Sequence, residues 1–437
     1  MSAARWLREL GTLALSLLNA LLGWLLVAPF ALLIPKRRDW IAVIGRQHGR
    51  FLDNAKYFFI EASLERADLD IRFVSEYPDA AVAIAAHELR VLQYPRLESI
   101  WFLLRCNCAV VDSTDWNDHF RRFLLVRAQI VQLWHGVGFK RIERDRWRHE
   151  VGRARWASRS WVFALRMILY RVSGRAVRYA AVCSTSVFYR DKVFSHAFLA
   201  RHFPITGYPR NGFGRELHGR ALDLAWHNVD RQVSSRIAEW TAAGKRLVLI
   251  VPTMRDSLKA PMELDAATMQ RLGTFAGTHG IEFLFKFHPS ERNAQGITGD
   301  HLHVCAPHSD VYPLLPHCHA LVTDYSSIYM DFLLLDRPVL FLVMDGDSYA
   351  REDRETQFDP SSMMPGPRLA DWDELLEVLV ETPFSDMNGP ERTRLRNMAF
   401  DGVDQSESTV RLLDFMRKQG WLPKRTPSSM PKPGLPE

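Results

Sequence analysis

Cysteine is scarce in this sequence of 437 residues, and its five cysteines follow no regular pattern. They are Cys106, Cys108, Cys183, Cys305 and Cys318. An odd number at scattered spacing excludes a disulfide framework, and no pair has the spacing of a zinc site. The sequence therefore predicts a reduced, cytosolic protein with no bound metal and no cofactor, in which Cys106 and Cys108 are packing residues.

Short-period repeats are also absent, and neither sign of charge dominates strongly. The net charge is +6, with 47% hydrophobic and 24% charged residues. A chain of this length exceeds one ordinary core, so two domains are expected. The mild basic excess suits phosphates, anionic lipid or nucleic acid, although a merely solvated basic surface fits equally well. No groove-reading helix or aromatic-basic platform stands out, so we expect no nucleic-acid partner.

Charge is missing altogether from residues 11–35, "GTLALSLLNALLGWLLVAPFALLIP". This stretch is long enough to cross a bilayer, so residues 1–39 are predicted to form a hydrophobic membrane-associated segment. It could span the membrane or lie in the interface, and a buried core helix is the alternative. Stronger basic flanks after the stretch predict that the rest of the chain lies at the cytoplasmic face of a cell membrane.

Short apolar runs alternate with helical patterns along the rest of the chain. "IAVIG", "DIRFVS", "AQIVQLW" and "RYAAVC" are typical of strands in the first half, as are "KRLVLIVPT", "IEFLFKFHP", "HALVTD" and "RPVLFLV" in the second. Such alternation predicts parallel sheets covered by helices. We therefore expect Rossmann-like domains at 40–240 and 241–420, and a disordered Pro-rich tail at 421–437.

The stretch "LVTDYSSIYMDF" contains the densest group of candidate ligand-binding residues. A strand ends at Thr323-Asp324, and Ser326 and Ser327 precede a helix, at the sheet edge where parallel α/β proteins bind ligands. Free N–H groups and two hydroxyls there suit a phosphate, and Asp331 one turn further on could reach a ribose hydroxyl. An ordinary serine cap is the structural alternative.

Three other strand ends carry candidate polar side chains. His288 in "FKFHPS" could donate to a phosphate oxygen, and Arg255 in "VPTMRDS" could clamp a pyrophosphate. In "VQLWHGVGFK", His135 ends a strand of the first domain, Gly136 permits close approach, and Lys140 adds positive charge. His135 is a candidate general base for an incoming hydroxyl, although a histidine at such a place often only forms local hydrogen bonds.

Five motifs in order resemble the CDP-glycerol glycerophosphotransferase family of teichoic-acid and capsule polymer synthesis. They are "QLWHG" followed by Lys140, "ITGYPRN" with Arg210, "PTMRD", "KFHP" and "TDYSSIYMDF". "RPVLFL" and "DGDSY" follow the last motif, and "GRQHGRFLDNAKYFFIEA" resembles the opening of the family. The similarity extends from about residue 45 to residue 415.

The resemblance implies a GT-B fold, α/β with two Rossmann-like domains whose parallel sheets face a cleft. It implies transfer of a polyol phosphate, with glycerol phosphate as the first candidate, from CDP-glycerol or CDP-ribitol. The acceptor would be a hydroxyl of a lipid-linked glycan or polymer, and CMP would be released. His135 would deprotonate the acceptor, and His288 would stabilise the pyrophosphate. Donor binding would fall to Arg255, Thr323, Asp324, Ser326, Ser327 and Asp331, and acceptor or phosphate contacts to Gly136, Lys140 and Arg210.

Other functions remain compatible with the sequence. A GT-B glycosyltransferase that uses a nucleotide sugar would share the fold and the phosphate site. A catalytically silent, membrane-bound nucleotide-binding protein is a further alternative. The sequence leaves open whether the polyol is glycerol or ribitol, which acceptor is used, and whether one unit or many are added.

Overall fold

The structure is a computed structural model of the whole chain. It describes residues 11, 14–15, 17–146, 148–149, 177–253, 255, 262, 264–288, 296–346, 356–381 and 387–424. The tail from residue 425 onward lies outside these residues.

The described residues group into two compact units. The first unit comprises the residues up to His135, residues 142–225 and those from Val403 onward. The second comprises 136–141 and 226–402. Each unit is built around its own parallel sheet. This confirms the prediction of two parallel-sheet α/β domains, as in a GT-B-like fold.

The first unit contains a sheet of seven strands within the described residues, in the order β3-β2-β1-β4-β5-β6-β7. The strands are β1 (Arg37–Ile44), β2 (Asp70–Ser75), β3 (Val91–Gln93), β4 (Cys106–Val111), β5 (Gln129–Gln132), β6 (Arg178–Val182) and β7 (Leu199–His202). In the middle of the sheet, Val43 lies between Phe73 of β2 and Val110 of β4. The central parts of β1 and β4, residues 41–44 and 108–111, are apolar and buried, as expected where helices cover both faces of a parallel sheet.

The helices of the first unit connect successive strands and cover the sheet. The main ones are Asp53–Glu65, Pro78–Ala86, Leu97–Arg105 and Arg121–Leu124, followed by the turns Val187–Tyr189, Arg190–Phe194 and Ser195–Ala197 and by Arg220–Trp226. Ser186 caps the first of these turns, because its side chain accepts a hydrogen bond from the amide of Tyr189.

The C-terminal helix Ser408–Lys418 belongs to the first unit, although its sequence position placed it in the second predicted domain. The amide of Tyr208 donates to the Gln405 side chain at 2.9 Å, and Arg411 donates to the carbonyl of Thr206 at 3.1 Å.

The disordered tail was predicted to begin at residue 421, which is too early in the chain. Trp421 is buried, and its carbonyl accepts a hydrogen bond from Asn107 at 2.6 Å.

The second unit contains six strands among its described residues, in the order β10-β9-β8-β11-β12-β13. They are β8 (Arg246–Val251), β9 (Ile281–Phe285), β10 (Leu302–Val304), β11 (Ala320–Thr323), β12 (Val339–Leu342) and β13 (Arg368–Leu369). The helices are Arg231–Ser234, Ile237–Ala242, Ala266–His279, Ile328–Phe332, Pro360–Met363, Trp372–Glu381 and Gly389–Phe400, with 3₁₀ turns at Tyr312–His317 and Leu333–Leu335. The carboxyl ends of β9, β8, β11 and β12 therefore lie side by side.

All five cysteines are buried as free thiols. Burial raises the pKa of Cys106 to about 11 and the pKa of Cys183 and Cys305 to about 12. The pKa of Cys108 and Cys318 is raised further, again by burial. The prediction that Cys106 and Cys108 are packing residues is confirmed, since both side chains are fully enclosed.

The predicted membrane segment at residues 11–35 is wrong. Among the described residues, no helix has both the length and the apolar character needed to cross a bilayer. The described helix instead packs on the first unit, where Gly23 lies directly against the ring of Phe123 and Trp24 contacts the same ring edge-on at 5.8 Å. Arg127 then donates to the carbonyl of Leu32 at 2.7 Å. The helical conformation ends at Ile34, which is extended.

Candidate active site

His135 lies just beyond the carboxyl end of β5, on a backbone that turns sharply. Trp134 has φ 64° and Gly136 has φ 146°, so the residues on both sides of His135 occupy the positive-φ region. The strained Trp134 is held by two hydrogen bonds, since Asn54 donates to its carbonyl at 2.8 Å and its amide donates to the Gln132 side chain at 2.9 Å. A rigid turn therefore presents the imidazole at the ligand-binding edge of the sheet.

The hydrogen bonds of His135 fix its tautomer. Its Nδ1 lies 3.0 Å from the carbonyl oxygen of Asp112, and a carbonyl can only accept, so Nδ1 carries the proton. The lone pair is then on Nε2, and the residue remains partly exposed. Burial of the ring lowers the pKa of His135 to about 4, and the positive charge of Arg46 adds to this effect. The neutral, proton-accepting form therefore prevails at neutral pH.

Arg210 lies behind His135. Its Nη1 donates to the carbonyl of His135 at 3.1 Å and forms an ion pair with Asp53, and its amide donates to the Asn54 side chain at 3.2 Å. Both Arg210 and Asp53 are buried. The sequence predicted a contact between Arg210 and the acceptor or a phosphate; the structure places the guanidinium in the support of the histidine turn.

Two carboxylates near His135 have opposite pKa shifts. Burial alone would raise the pKa of Asp53, but the charges of Arg210 and Arg46 outweigh it and lower the pKa to about 2. Burial raises the pKa of Asp112 well above its ordinary value, and the charge of Asp53 adds to this. Asp53 is thus the anionic member of the cluster, and its single charge offsets part of the positive charge of Arg46 and Arg210.

In the second unit, Asp324 lies at the centre of the candidate donor site, immediately after β11. Its Oδ1 accepts from the amide of Thr253 at 2.8 Å and from the amide of Tyr325 at 2.6 Å. Its Oδ2 forms an ion pair with Nη1 of Arg255 at 2.8 Å. The carboxylate therefore ties the loop after β8 to the loop after β11.

Arg255 is held between two carboxylates. Besides Asp324, its Nε contacts Oδ2 of Asp345 at 2.7 Å, and its Nη1 also donates to the carbonyl of Thr253 at 2.8 Å. Burial alone would lower the pKa of Arg255, but the two carboxylates outweigh it and raise the pKa. The guanidinium thus organises three loops at the strand ends, and the pyrophosphate contact predicted from the sequence stays a prediction.

The two serines of "TDYSSIYMDF" come immediately before the helix Ile328–Phe332. Ser327 is the residue before the helix, yet its side chain makes no capping hydrogen bond. The ordinary capping role considered for it is therefore not the one observed. Gly138 packs closely on Ser327, because a Cβ built at Gly138 would lie 3.2 Å from the Ser327 Cβ.

The segment 136–141 belongs to the second unit. Phe139 packs against Tyr325 and Tyr329 with ring centroids 6.2 and 6.3 Å apart, and its carbonyl accepts from the amide of Gln357 at 2.6 Å. The next residue, Lys140, forms a backbone bridge with Thr356. The glycines and Lys140 of the first-domain motif thus lie beside the candidate donor residues of the second unit.

The remaining predicted residues lie at the same sheet edge of the second unit. Thr323 donates its hydroxyl proton to the carbonyl of Val251 at 2.6 Å, so it bridges β11 and β8. Asp331 is buried and accepts from the Tyr312 hydroxyl at 2.8 Å. His288 follows β9, in the second unit, whereas His135 belongs to the first. The roles proposed for these side chains stay predictions.

Sequence reasoning missed several residues that support these sites. Asp53, Asn54 and Asp112 hold the histidine turn, and Asp345 completes the coordination of Arg255. Asp345 lies in "DGDSY", where a polar run follows a buried strand, so its position was a usable signal. Asp53 lies in the stretch "GRQHGRFLDNAKYFFIEA" that resembles the family opening, but its φ of 62° and its pairing with Arg210 depend on the fold.

Two parallel-sheet units with polar side chains at their strand ends define the class of α/β proteins that bind ligands at that edge. In the first unit an oriented, unprotonated imidazole nitrogen adds the capacity to accept a proton. The chain belongs to the family described as CDP-Glycerol:Poly(glycerophosphate) glycerophosphotransferase, which it matches over residues 26–418.

The curated relatives include polymerases, primases and a transferase of teichoic acid. The teichoic acid poly(ribitol-phosphate) polymerase of Bacillus spizizenii is 29% identical over 146 residues, covering 32% of this chain and 23% of that protein. The teichoic acid poly(glycerol phosphate) polymerase of the same organism is 26% identical over 202 residues, covering 44% and 48%. The teichoic acid glycerol-phosphate primase of Bacillus subtilis is 27% identical over 143 residues, covering 32% and 36%. The matches thus span less than half of each relative.

Solved structures share the fold at low sequence identity. The wall teichoic acid polymerase TagF superposes with a TM-score of 0.64 at 16% identity, over 95% of this chain and 97% of that one. MnaA of S. aureus in complex with UDP gives a TM-score of 0.52 at 12% identity, over 89% and 98%. The fold alone therefore does not select the reaction.

Proposed function

We propose that this protein transfers a polyol phosphate, with glycerol phosphate as the first candidate, from a CDP-activated donor to a hydroxyl of an acceptor, and releases CMP. The observation that carries this proposal is the unprotonated Nε2 of His135, presented at a strand end in a chain that belongs to the glycerophosphotransferase family. The reaction is that of a phosphotransferase of the EC 2.7.8 type, in teichoic-acid or capsule polymer synthesis.

The proposed chemistry is an in-line displacement at phosphorus. The acceptor hydroxyl gives its proton to Nε2 of His135 while its oxygen forms a bond to the phosphorus that bears the polyol. The bond from that phosphorus to the oxygen of CMP breaks, and CMP leaves with the electron pair. General-base assistance of this kind contributes about 10²–10⁴ to the rate, and electrostatic stabilisation of the phosphates contributes the rest.

On the donor side, His288, Ser326 and Ser327 are the proposed contacts for the pyrophosphate, and Asp331 is the proposed partner of the ribose. Arg255 and Asp324 are assigned a different role within the same site. Because they bind one another, they hold the three loops in place, and the loops would bind the nucleotide.

The names of the relatives support two donors. Two of them are described as glycerol-phosphate enzymes and one as a poly(ribitol-phosphate) polymerase, so both CDP-glycerol and CDP-ribitol are candidates. A lipid-linked glycan or a growing polymer is the proposed acceptor. The predicted cytoplasmic location stays a prediction.

The decisive experiment measures CMP release by the purified protein. CDP-glycerol and CDP-ribitol are each supplied with a lipid-linked polyol-phosphate primer, and the elongated product is identified by mass spectrometry. We expect CMP and a product heavier by one or more polyol phosphates. Release of another nucleotide from a nucleotide sugar, with glycan transfer, would instead establish the glycosyltransferase alternative.

A further inference from the structure

Two histidines that the proposed chemistry does not use lie face to face in the first unit. His48 follows β1 and His119 follows β4, and their rings are stacked with centroids 4.9 Å apart. Glu76, the residue directly after β2, contacts His119. Three neighbouring strands therefore deliver this group to the carboxyl edge of the sheet, where open parallel sheets bind ligands.

Both histidines occupy unfavourable backbone conformations. His48 has φ 65° and its neighbour Gln47 has φ 53°, while His119 has φ 51° and Phe120 has φ 66°. Each such residue costs about 1–3 kcal/mol, and conformations of this kind concentrate at functional sites. The positive φ of His48 and His119 therefore costs conformational free energy in the arrangement that brings the two rings together.

A buried arginine orients both rings. Arg121 has no exposed side-chain surface, and its Nη1 lies 2.8 Å from Oε1 of Glu76. Its Nη2 lies 3.1 Å from Nδ1 of His48, and the carbonyls of Trp116 and Asp115 accept further hydrogen bonds from the guanidinium. The arginine therefore has little freedom to turn away.

These contacts determine which nitrogen of each ring carries the proton. A guanidinium only donates, so Nδ1 of His48 accepts and Nε2 of the neutral ring carries the hydrogen. An ionised carboxylate only accepts, so Nδ1 of His119, 2.8 Å from Glu76, donates, and its Nε2 keeps the lone pair. Among the described residues, neither Nε2 has a hydrogen-bond partner, and the His119 side chain is 56% exposed.

With both rings in the neutral form, these contacts leave the pair with one donor and one acceptor, and that combination selects among ligands. Candidate metal-ligating atoms of His48, Glu76 and His119 lie within 4.8 Å of one another. However, the carboxylate of Glu76 is already paired with Arg121 at 2.8 Å, and His48 has no lone pair left on Nε2 for a metal. A phosphate would find one hydrogen-bond donor, Nε2–H of His48. The carboxylate of Glu76 and the lone pair on Nε2 of His119 would repel it. A hydroxyl group, which both donates and accepts, matches the two nitrogens.

The same two loops also hold His135. Arg46, two residues before His48, forms an ion pair with Asp53 at 3.1 Å, and Asp53 in turn holds Arg210 behind His135. On the other loop, the carbonyl of Asp112 accepts from His135. A ligand bound by the histidine pair would therefore be bound by the loops that position the proposed base.

We propose that His48 and His119 bind a hydroxyl of the polyol or sugar portion of the acceptor, with Nε2–H of His48 donating to it and Nε2 of His119 accepting from it. This assignment rests on the proposed transfer function and adds to it a subsite for the acceptor. It also explains why the pair belongs to the same unit as His135.

The test is donor-free binding measured on the histidine rings themselves. Protein labelled with ¹⁵N-histidine is examined by long-range ¹H–¹⁵N correlation, with assignments from His48→Gln and His119→Gln. We expect the Nε2–H tautomer for His48 and the Nδ1–H tautomer for His119. Soluble oligo(glycerol phosphate), oligo(ribitol phosphate) or glycan fragments should shift both Nε2 signals saturably, whereas CDP-glycerol alone should not.

Each contrary result overturns the assignment in a different way. Signals that respond to Zn²⁺ and to no polyol would indicate a metal site, and a response to CDP-glycerol alone would make the hydroxyl that of the donor. If no probe shifted the Nε2 signals, the pair would have a structural role and would bind no acceptor hydroxyl. Because no transfer is measured, these results do not depend on whether CMP is released.

Kinetics supply a second readout if transfer is observed. His48→Gln and His119→Gln should each raise the KM for the acceptor about tenfold, as expected for the loss of one hydrogen bond in an aligned site, with kcat and the KM for CDP-glycerol within about twofold. The matched control is His218→Gln, an 81% exposed histidine of the same unit. An unchanged acceptor KM in both variants would contradict the proposal.

Discussion

His135 donates its Nδ1 proton to the backbone carbonyl of Asp112 across 3.0 Å, and this contact leaves Nε2 as a proton acceptor. A backbone carbonyl neither titrates nor turns, so the tautomer persists over the whole pH range in which the ring is neutral. In this respect Asp112 orients the imidazole through its main chain, while its own carboxyl group accepts from the amide of Ala55 at 3.1 Å.

Replacement of His135 should remove the base and leave the donor site intact. We expect His135→Ala to lower kcat by about 10²–10⁴, the usual contribution of a general base, with little change in the affinity for CDP-glycerol. Steady-state CMP release and calorimetric donor binding would measure the two effects. His196→Ala, a substitution of an exposed histidine in the same unit, serves as the control. A loss below tenfold in kcat would assign the proton transfer to another group.

The pH dependence should show an unusually acidic limb. Because the pKa of His135 is lowered to about 4, the base stays unprotonated well below the ordinary histidine value, and kcat/KM should fall only as the pH approaches 4. Arg46 contributes to that lowering, so Arg46→Gln should raise the pKa and move the limb to higher pH. A profile of kcat/KM against pH for both proteins would measure the shift. A wild-type limb near pH 6.5 would contradict the burial argument.

Arg255 should matter to stability more than its single charge suggests. Arg255→Gln leaves the carboxylates of Asp324 and Asp345 without their cation, and breaking a buried ion pair costs about 3–5 kcal/mol. Urea unfolding would measure the loss in the free energy of unfolding. Arg271→Gln is the matched control, because Arg271 and its partner Asp373 are both more than half exposed. Its free energy of unfolding should fall by less than about 1 kcal/mol. Equal losses would show that Arg255 has no such structural role.

Glu61 should make the protein less stable as the pH rises. Burial raises its pKa to about 7, although the charge of Arg215 opposes this, so the folded state holds a proton that the unfolded state loses near 4.5. Between these values the free energy of unfolding should fall by up to about 3 kcal/mol. Glu61→Gln should remove that slope, as urea titrations at pH 5 and pH 8 would show. If the free energy of unfolding changed equally with pH in both proteins, the charge of Arg215 would outweigh the effect of burial on the pKa of Glu61.

The strand ends of the candidate sites could be predicted from the sequence because parallel strands are strongly apolar and end abruptly. His135, His288 and Asp324 each follow such a run, and all three lie at the expected edge of their sheets. Strand β4, "CNCAVV", is not among the predicted strands, because a run of six residues without flanking turn signals does not distinguish a strand from a buried helix.

The role of arginines could not be predicted in the same way. Arg210 and Arg255 were both candidate phosphate ligands, yet Arg210 pairs with the carboxylate of Asp53 and Arg255 with two carboxylates of distant loops. Those pairings join residues 157 and 69–90 positions apart, which no local pattern encodes. The packing of Gly23 on Phe123 is long-range in the same sense.

The five enclosed thiols have a practical consequence for labelling. A thiol reacts as its thiolate, and every cysteine here combines burial with a raised pKa, so maleimide reagents should leave the native chain unmodified. A single cysteine introduced on either unit would then carry a fluorophore or spin label without any need to remove the natural ones. The wild-type sequence is already a silent background for spectroscopic measurements.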